Sequence, residues 1–268
     1  RDLHEDAHFD VPGICLISIT LSVFALVVSE SSNIGFLSKP ALILHVIWIS
    51  CLSLLCWVER HQEFPLVRWR FFKKPNFFVA CVIGVALYFS WSAWILISSW
   101  YYRDFYHLSN SKISLMYTIF GFIVFFTTLL QPKWMIKFSS KRIILIGLLS
   151  NILAFSWFIG IFEFNEPVYL LYFGPVLLAI GFTFINPIVT CFALEHFAPR
   201  DLNQGSGTLM MTRWMGSVLG ASMMGTFYLF QKSSLGMTSG IIWTYSLLII
   251  INLAIFVLSF IFITYQEA

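Results

Sequence analysis

Charge is scarce in this sequence. Only 11% of its 268 residues are Asp, Glu, Lys or Arg, against about 25% in soluble domains. That scarcity excludes an ordinary water-soluble globule, and a formal net charge of only +3 gives no reason to expect a nucleic-acid surface. Paired cysteines are missing too. The five present, Cys15, Cys51, Cys56, Cys81 and Cys191, are odd in number, form no CxxC and lie in apolar runs, so inert buried thiols are expected rather than disulfides or a metal site. The six histidines read as scattered, and no GxSxG occurs, so a lipid-modifying enzyme or intramembrane protease would lack its working groups at membrane depth. No catalytic residue, metal or cofactor is expected. The opening residues Arg1-Asp2-Leu3-His4-Glu5-Asp6 include no initiating methionine and are unlike the basic start of a signal peptide. They read as a break point inside a longer protein.

What is abundant is apolar. Hydrophobic residues make up 59% of the chain, and the mean hydropathy is +0.83. The apolar runs are about twenty residues long, the length that crosses a hydrocarbon core of about 30 Å as a helix. Lipid cannot satisfy backbone hydrogen bonds, so each run must be helical. The spacing predicts about eight spans: Val11–Ser29, Pro40–Val58, Phe77–Ser98, Ile113–Leu130, Ile143–Phe162, Val168–Leu194, Gly205–Phe230 and Ile241–Thr264. Pro12, Pro40, Pro75 and Pro167 fall at or just before helix starts, where a missing N–H does no harm. Trp57, Trp69, Trp100, Tyr101, Tyr102 and Tyr265 fall near span ends, suiting the membrane interface.

Basic residues give an orientation. Arg1, Arg60, Arg68, Arg70, Lys73, Lys74, Lys133, Lys137, Lys141, Arg142 and Arg200 fall on one side, and Lys39, Arg103, Lys112 and Lys232 on the other. Eleven against four puts the first side and both termini in the cytoplasm. The longest loop, from about Glu59 to Asn76, is too short for a soluble catalytic domain.

The segment between the sixth and seventh spans is the most informative. It reads Gly181-Phe-Thr-Phe-Ile-Asn-Pro187, then Ala198-Pro-Arg-Asp201, then Gln204-Gly-Ser-Gly207, with Arg213, Gly216 and Gly220 following. At helical spacing Ser206, Leu209, Arg213, Gly216, Ser217 and Gly220 share a face. The small residues Gly205, Gly207, Gly216 and Gly220 are expected to let a neighbouring helix approach. Arg213 inside a span must find protein, a cavity or headgroups. Folding about Arg200 sets it level with Asn186 and Pro187. Pro187 frees the Thr183 carbonyl as one acceptor, and snorkelling to the cytoplasmic headgroups is the other outcome. Gly181, Asn186, Pro187 and Arg213 are therefore the candidates for a translocation site. His45, Glu30 and the Glu195–His196 pair are weaker candidates, packed or interfacial by default. Gly174-Pro175 and Asn186-Pro187 can each kink the sixth span.

Pro199-Arg-Asp-Leu-Asn-Gln-Gly-Ser-Gly207 with Arg213, Gly216 and Gly220 resembles the stretch leading into the penultimate helix of the major facilitator superfamily's fourteen-helix drug:proton antiporters (EmrB/QacA type). Glu63-Phe-Pro-Leu-Val67 and Phe71-Phe-Lys-Lys-Pro-Asn-Phe77 resemble that branch's link from two extra central helices into its C-terminal half. The resemblance implies an all-α membrane protein, with two central helices over residues 1–62 and a six-helix C-terminal half over residues 63–268. It implies a proton-coupled efflux transporter of drugs or other lipophilic or cationic small molecules. Its partners would be the lipid bilayer, protons, substrate and a missing N-terminal six-helix half, in a bacterial inner membrane. Where the family carries a Gly-x-Leu-x-Asp-Arg-x-Gly gating loop, this chain has Pro132-Lys-Trp-Met-Ile-Lys-Phe-Ser139. Both glycines and the aspartate are lost, leaving Lys133, Lys137, Lys141 and Arg142 as a basic remnant. No span carries a clearly mid-membrane carboxylate. An inactive fragment, or a split-gene subunit needing a separate front half, stays open as the alternative, and a membrane enzyme as a remoter one.

Overall fold

Each apolar run folds into a helix, as a lipid-embedded backbone requires. The computed structural model describes residues 11–34, 38–61, 69–164 and 166–267. Among these residues the chain is helical without strands: α1 (Val11–Ile34), α2 (Lys39–His61), the single turn α3 (Trp69–Phe72), α4 (Pro75–Asp104), α5 (Asn110–Lys137), α6 (Ser140–Phe164), α7 (Phe173–Leu194), α8 (Leu202–Leu235) and α9 (Met237–Glu267). The eight long helices match the eight expected spans, most with longer ends. Pro12 and Pro40 are second residues of their helices and Pro75 opens α4. Gly236, at φ 90°, ends α8 in a conformation that only glycine adopts freely, and α9 starts at the next residue.

Two boundaries differ from expectation. α5 runs through Pro132 to Lys137 rather than stopping at Leu130, because α7 grips it on both sides of the proline: the Gln131 amide donates to the Thr183 carbonyl and Trp134 packs edge-on against Phe184. The supposed gating loop is therefore mostly helix. Lys133 and Lys137 ride the end of α5, Lys141 and Arg142 the first turn of α6, and only Phe138 and Ser139 connect them. The expected single helix over 168–194 opens instead as a 3-10 turn, Val168–Tyr172, before α7. Gly174 and Pro175 consequently sit in the first turn of α7, where proline makes no kink. The thiols also differ. Cys81 is buried, but Cys15 and Cys191 face outward, a placement that lipid tolerates.

Among the described residues five segments are long and apolar enough to cross a membrane: α4, α5, α6, Val168–Leu194 and Met237–Phe262. The apolar cores of α1 and α2 are shorter, Cys15–Val27 and Leu42–Leu55. α8 is too rich in Gly, Ser and Thr to qualify by composition, and its neighbours show why it spans. Its residues pair with α4 in parallel at a nearly constant offset: Arg213 lies on Gly84, Gly216 on Val85, Gly220 on Phe89, Gly225 on Leu96 and Trp100, and Lys232 bonds Asp104 at 2.8 Å. From Arg213 to Lys232 that register covers about 28 Å, a full hydrocarbon thickness, beside a helix that itself spans.

α4 and α8 form the most extensive helix pair, with α7 and α9 against them, α6 bridging α7 and α9, and α5 on α7. α1 packs on α2 and reaches the bundle chiefly through α8. At one end Arg70 bonds Asp201 at 2.9 Å and the Lys74 ammonium donates to the His196 carbonyl at 2.6 Å, while Lys141 lies 5.0 Å from the Phe260 ring. The basic segments thus share a face, opposite the Asp104–Lys232 pair. Two buried clusters stack between these faces, one around Phe71, Phe77, Ile185 and Phe197, the other around Trp94, Tyr101, Phe158 and Tyr245.

Close approach of α4 and α8 is a matter of backbone against glycine. A Cβ on Gly220 would overlap the Phe89 carbonyl oxygen, and one on Gly216 would stand 2.5 Å from that of Val85. Gly207, by contrast, is exposed, and a Cβ there would meet nothing within 4 Å among the described residues, so it takes no part in the packing expected of it there. Gly220→Ala should cost about 1–3 kcal/mol and Gly207→Ala less than about 0.5 kcal/mol. Unfolding of the detergent-solubilised chain measures both, and equal effects would contradict the register.

Candidate functional site

Arg213 is 1% exposed, among the largest fully buried side chains described. Its stem lies against Gly84 of α4, where a Cβ would meet Cγ at 3.0 Å and Nε at 3.1 Å. The far end of the guanidinium crosses to α7. Nη2 donates to the Asn186 carbonyl at 3.1 Å and to Thr190 Oγ1 at 2.9 Å, and the Thr190 hydroxyl itself donates to the Asn186 carbonyl at 2.9 Å. Neither partner expected of Arg213 is taken. It does not snorkel, and the Thr183 carbonyl freed by Pro187 goes to Gln131 of α5 at 3.4 Å. Thr127 adds a second α5–α7 tie, donating to the Thr183 hydroxyl at 2.9 Å.

Among the described residues no carboxylate pairs with Arg213. An arginine at mid-helix costs about 2.5–3.5 kcal/mol to insert. Hydrogen bonds to a charged group contribute about 1.5–3 kcal/mol each. Two of them offset the cost without a counter-ion, and so the cation can stay at depth. Nε of Arg213 and Oδ1 of Asn186 have no partner among the described residues.

The other predicted residues disperse. Gly181 faces α6, where a Cβ would overlap Asn151 Oδ1 and come 2.7 Å from the Gly147 carbonyl oxygen, making it a crossing point of α6 and α7. Gly205 packs on Phe197, 2.6 Å from a built Cβ. Glu195 and His196 pair with each other at 4.0 Å, both exposed, and not with Arg213. His45 is partly exposed within α2, and Glu30 is exposed in α1. The link residues Glu63 to Val67 and the Arg200 side chain lie outside the described residues. So does a further motif, His4-Glu5-Asp6-Ala7-His8, whose His-Glu-x-x-His spacing is that of a zinc helix; among the described residues no group of three possible metal ligands occurs.

Beside Arg213 stands a group that sequence reading does not assemble. Tyr88 and Trp91 of α4, Phe120 of α5, Phe182 of α7 and Trp214 of α8 form a continuous aromatic wall. Tyr88 contacts Trp91, Phe182 and Trp214 at centroid distances of 5.9, 5.5 and 5.6 Å, and Trp91 contacts Phe182 at 5.7 Å and stacks on Phe120 at 6.4 Å. Trp214 is 55% exposed, opening the wall to the bundle surface, while the Trp91 indole N–H is buried without a partner among the described residues. With 49 Phe, Tyr and Trp residues in the chain (29, 10 and 10), composition could not mark these five. Only the crossing of four helices does.

Residues 80–268 match the Major Facilitator Superfamily. The chain is similar to the riboflavin transporter RibZ of Clostridioides difficile, 22% identical over 225 residues, which cover 84% of this chain and 48% of that protein. It is also similar to the methylenomycin A resistance protein of Streptomyces coelicolor, 21% identical over 217 residues, 80% of this chain and 45% of that protein. The chain thus spans about half the length of the curated relatives it matches.

Thr190→Val should remove one charge-assisted bond and cost about 1.5–3 kcal/mol, measured by unfolding in detergent. Stability within experimental error of the parent would mean that the guanidinium is not held on α7.

Proposed function

The chain belongs to the major facilitator superfamily, and from that premise we propose that it is the rear part of a proton-coupled efflux transporter exporting drugs or other lipophilic or cationic small molecules. Family membership makes it a transporter-type protein rather than an enzyme. The observation that carries the substrate class is the aromatic wall of Tyr88, Trp91, Phe120, Phe182 and Trp214. Ring faces attract cations and stack on flat apolar molecules without demanding one hydrogen-bonding pattern. The resistance protein among the relatives agrees with export of a toxic compound.

In this reading α1 and α2 are the extra central pair and the helices from α4 onward form one half of the transporter. A front six-helix half faces the Trp214 side, and the substrate lies between the halves as one rocks on the other. Arg213 ties α8 to α7 beside the wall and makes them move together. The basic face is cytoplasmic, by the excess of Lys and Arg there, with both termini on that side, in a bacterial inner membrane. Alone, the chain does not transport. The unpartnered Trp91 N–H and the riboflavin transporter relative favour a second reading, in which a flavin-like heteroaromatic compound is carried.

The test restores six front helices and measures efflux of an aromatic cation such as tetraphenylphosphonium from cells. A protonophore should stop export. Trp214→Ala should raise the apparent KM about two- to fivefold, the worth of one exposed cation–π contact, while Arg213→Ala should cut the maximal rate at unchanged membrane abundance. Export that ignores the proton gradient would overturn the coupling. Unchanged kinetics in Trp214→Ala would overturn the wall as the binding surface.

A further inference from the structure

A groove of about 440 Å³ lies between α4, α8 and α9, on a different flank of α4 from Gly84 and Arg213. Phe78, Cys81, Val82, Val85 and Phe89 line it in the helical pattern i, i+3, i+4, i+7, i+11, one stripe of α4, with Phe72 at one mouth and Ile251 at the far end. The lining is apolar apart from the Cys81 thiol and the Thr212 hydroxyl, and the latter already donates to the Leu209 carbonyl at 2.7 Å.

Its length and position are informative. From Phe78 to Phe89 the groove runs about 16 Å along the helix, half of a hydrocarbon core of about 30 Å. It begins beside the basic face at Phe72 and ends at the middle of α4, near the level where Asn252 donates to Ser90. The groove is therefore one leaflet deep, the length of a single acyl chain. At its mouth the next residue after Phe72 is Lys73. The neighbouring cations are engaged: Arg70 with Asp201 at 2.9 Å, Lys74 with the His196 carbonyl at 2.6 Å. The Lys73 side chain is exposed and has no hydrogen bond or ion pair among the described residues. An apolar slot of leaflet length capped by an exposed lysine has the complement of an anionic phospholipid.

We infer that this groove binds an anionic phospholipid of the leaflet on the basic face, one acyl chain lying along α4 and the phosphate set against Lys73. Neither end suffices alone. The slot would accept any acyl chain, and the lysine any anion, but together they select a lipid that is both.

The purified full chain in detergent tests this, with native mass spectrometry reading retained lipid after addition of phosphatidylglycerol or phosphatidylcholine of matched chains. The parent should retain phosphatidylglycerol preferentially. Lys73→Gln, a surface change that leaves the groove intact, should reduce that preference about fivefold, the contribution of one basic residue near an anionic surface. Val82→Phe, which fills the slot, should reduce retention of both lipids. Equal retention of the two lipids by the parent would overturn the inference, as would a preference untouched by Lys73→Gln. Unchanged retention in Val82→Phe would overturn it too, since binding would then be to surface charge alone. Inorganic phosphate that competed as well as the lipid would show a bare anion site, and a dimer persisting at every lipid concentration and lost in Val82→Phe would show that a second chain fills the groove; either result contradicts it.

Discussion

Everything else in the bundle depends on α4 and α8 lying parallel and in register over a membrane thickness. Glycine makes that approach possible at Gly216 and Gly220, where α8 meets the backbone of α4 at Val85 and Phe89. In lipid no hydrophobic force favours helix on helix over helix on acyl chain, so close van der Waals contact and interhelical polar bonds must do the work. Both occur on this pair: the Ser92 hydroxyl of α4 donates to the Ser217 carbonyl of α8 at 2.7 Å, and the two helices enclose the arginine stem. A helix with the composition of α8 would be a poor span alone. It becomes one because its small and polar residues face protein.

The same pairing makes Arg213 tolerable. Gly84 leaves room for the stem, and the guanidinium reaches the Asn186 carbonyl and Thr190 across the gap to α7. A cation held by neutral acceptors is bound more loosely than one held by a carboxylate, since replacing a carbonyl contact by another costs little while leaving a buried carboxylate unpaired costs several kcal/mol, roughly 3–5. Such a tie couples the two helices in the proposed transporter while letting the contact readjust. Beside it the aromatic wall draws on four helices, so any relative motion of α4, α5, α7 and α8 reshapes the surface offered to substrate.

How much of this was legible in the sequence follows from which signals are local. Run length and proline placement located all eight long helices, and the position of Arg213 level with Asn186 followed from folding two helices about one turn. The failures were tertiary. Pro132 looks like a helix end, but the contacts of Gln131 and Trp134 with α7 carry α5 through it. Thr183 looks like the acceptor for Arg213, but Gln131, on a helix more than fifty residues away in sequence, reaches it first. Gly207 carries the same small-residue signature as Gly216 and Gly220, and only the helix phase relative to α4 separates them. Gly84, Thr190 and the five wall aromatics have no local mark at all. Their significance is a matter of which helices cross where.

The parallel register is open to one direct measurement. With the five native cysteines replaced by serine, cysteine pairs are introduced at Asp104 with Lys232 and, separately, at Asp104 with Asp201, and a short thiol cross-linker is applied in native membranes. The account predicts efficient cross-linking of the first pair and none of the second, because α4 and α8 run the same way and end together. Cross-linking of Asp104→Cys to Asp201→Cys, or none between the first pair, would mean that α8 does not lie along α4 as described.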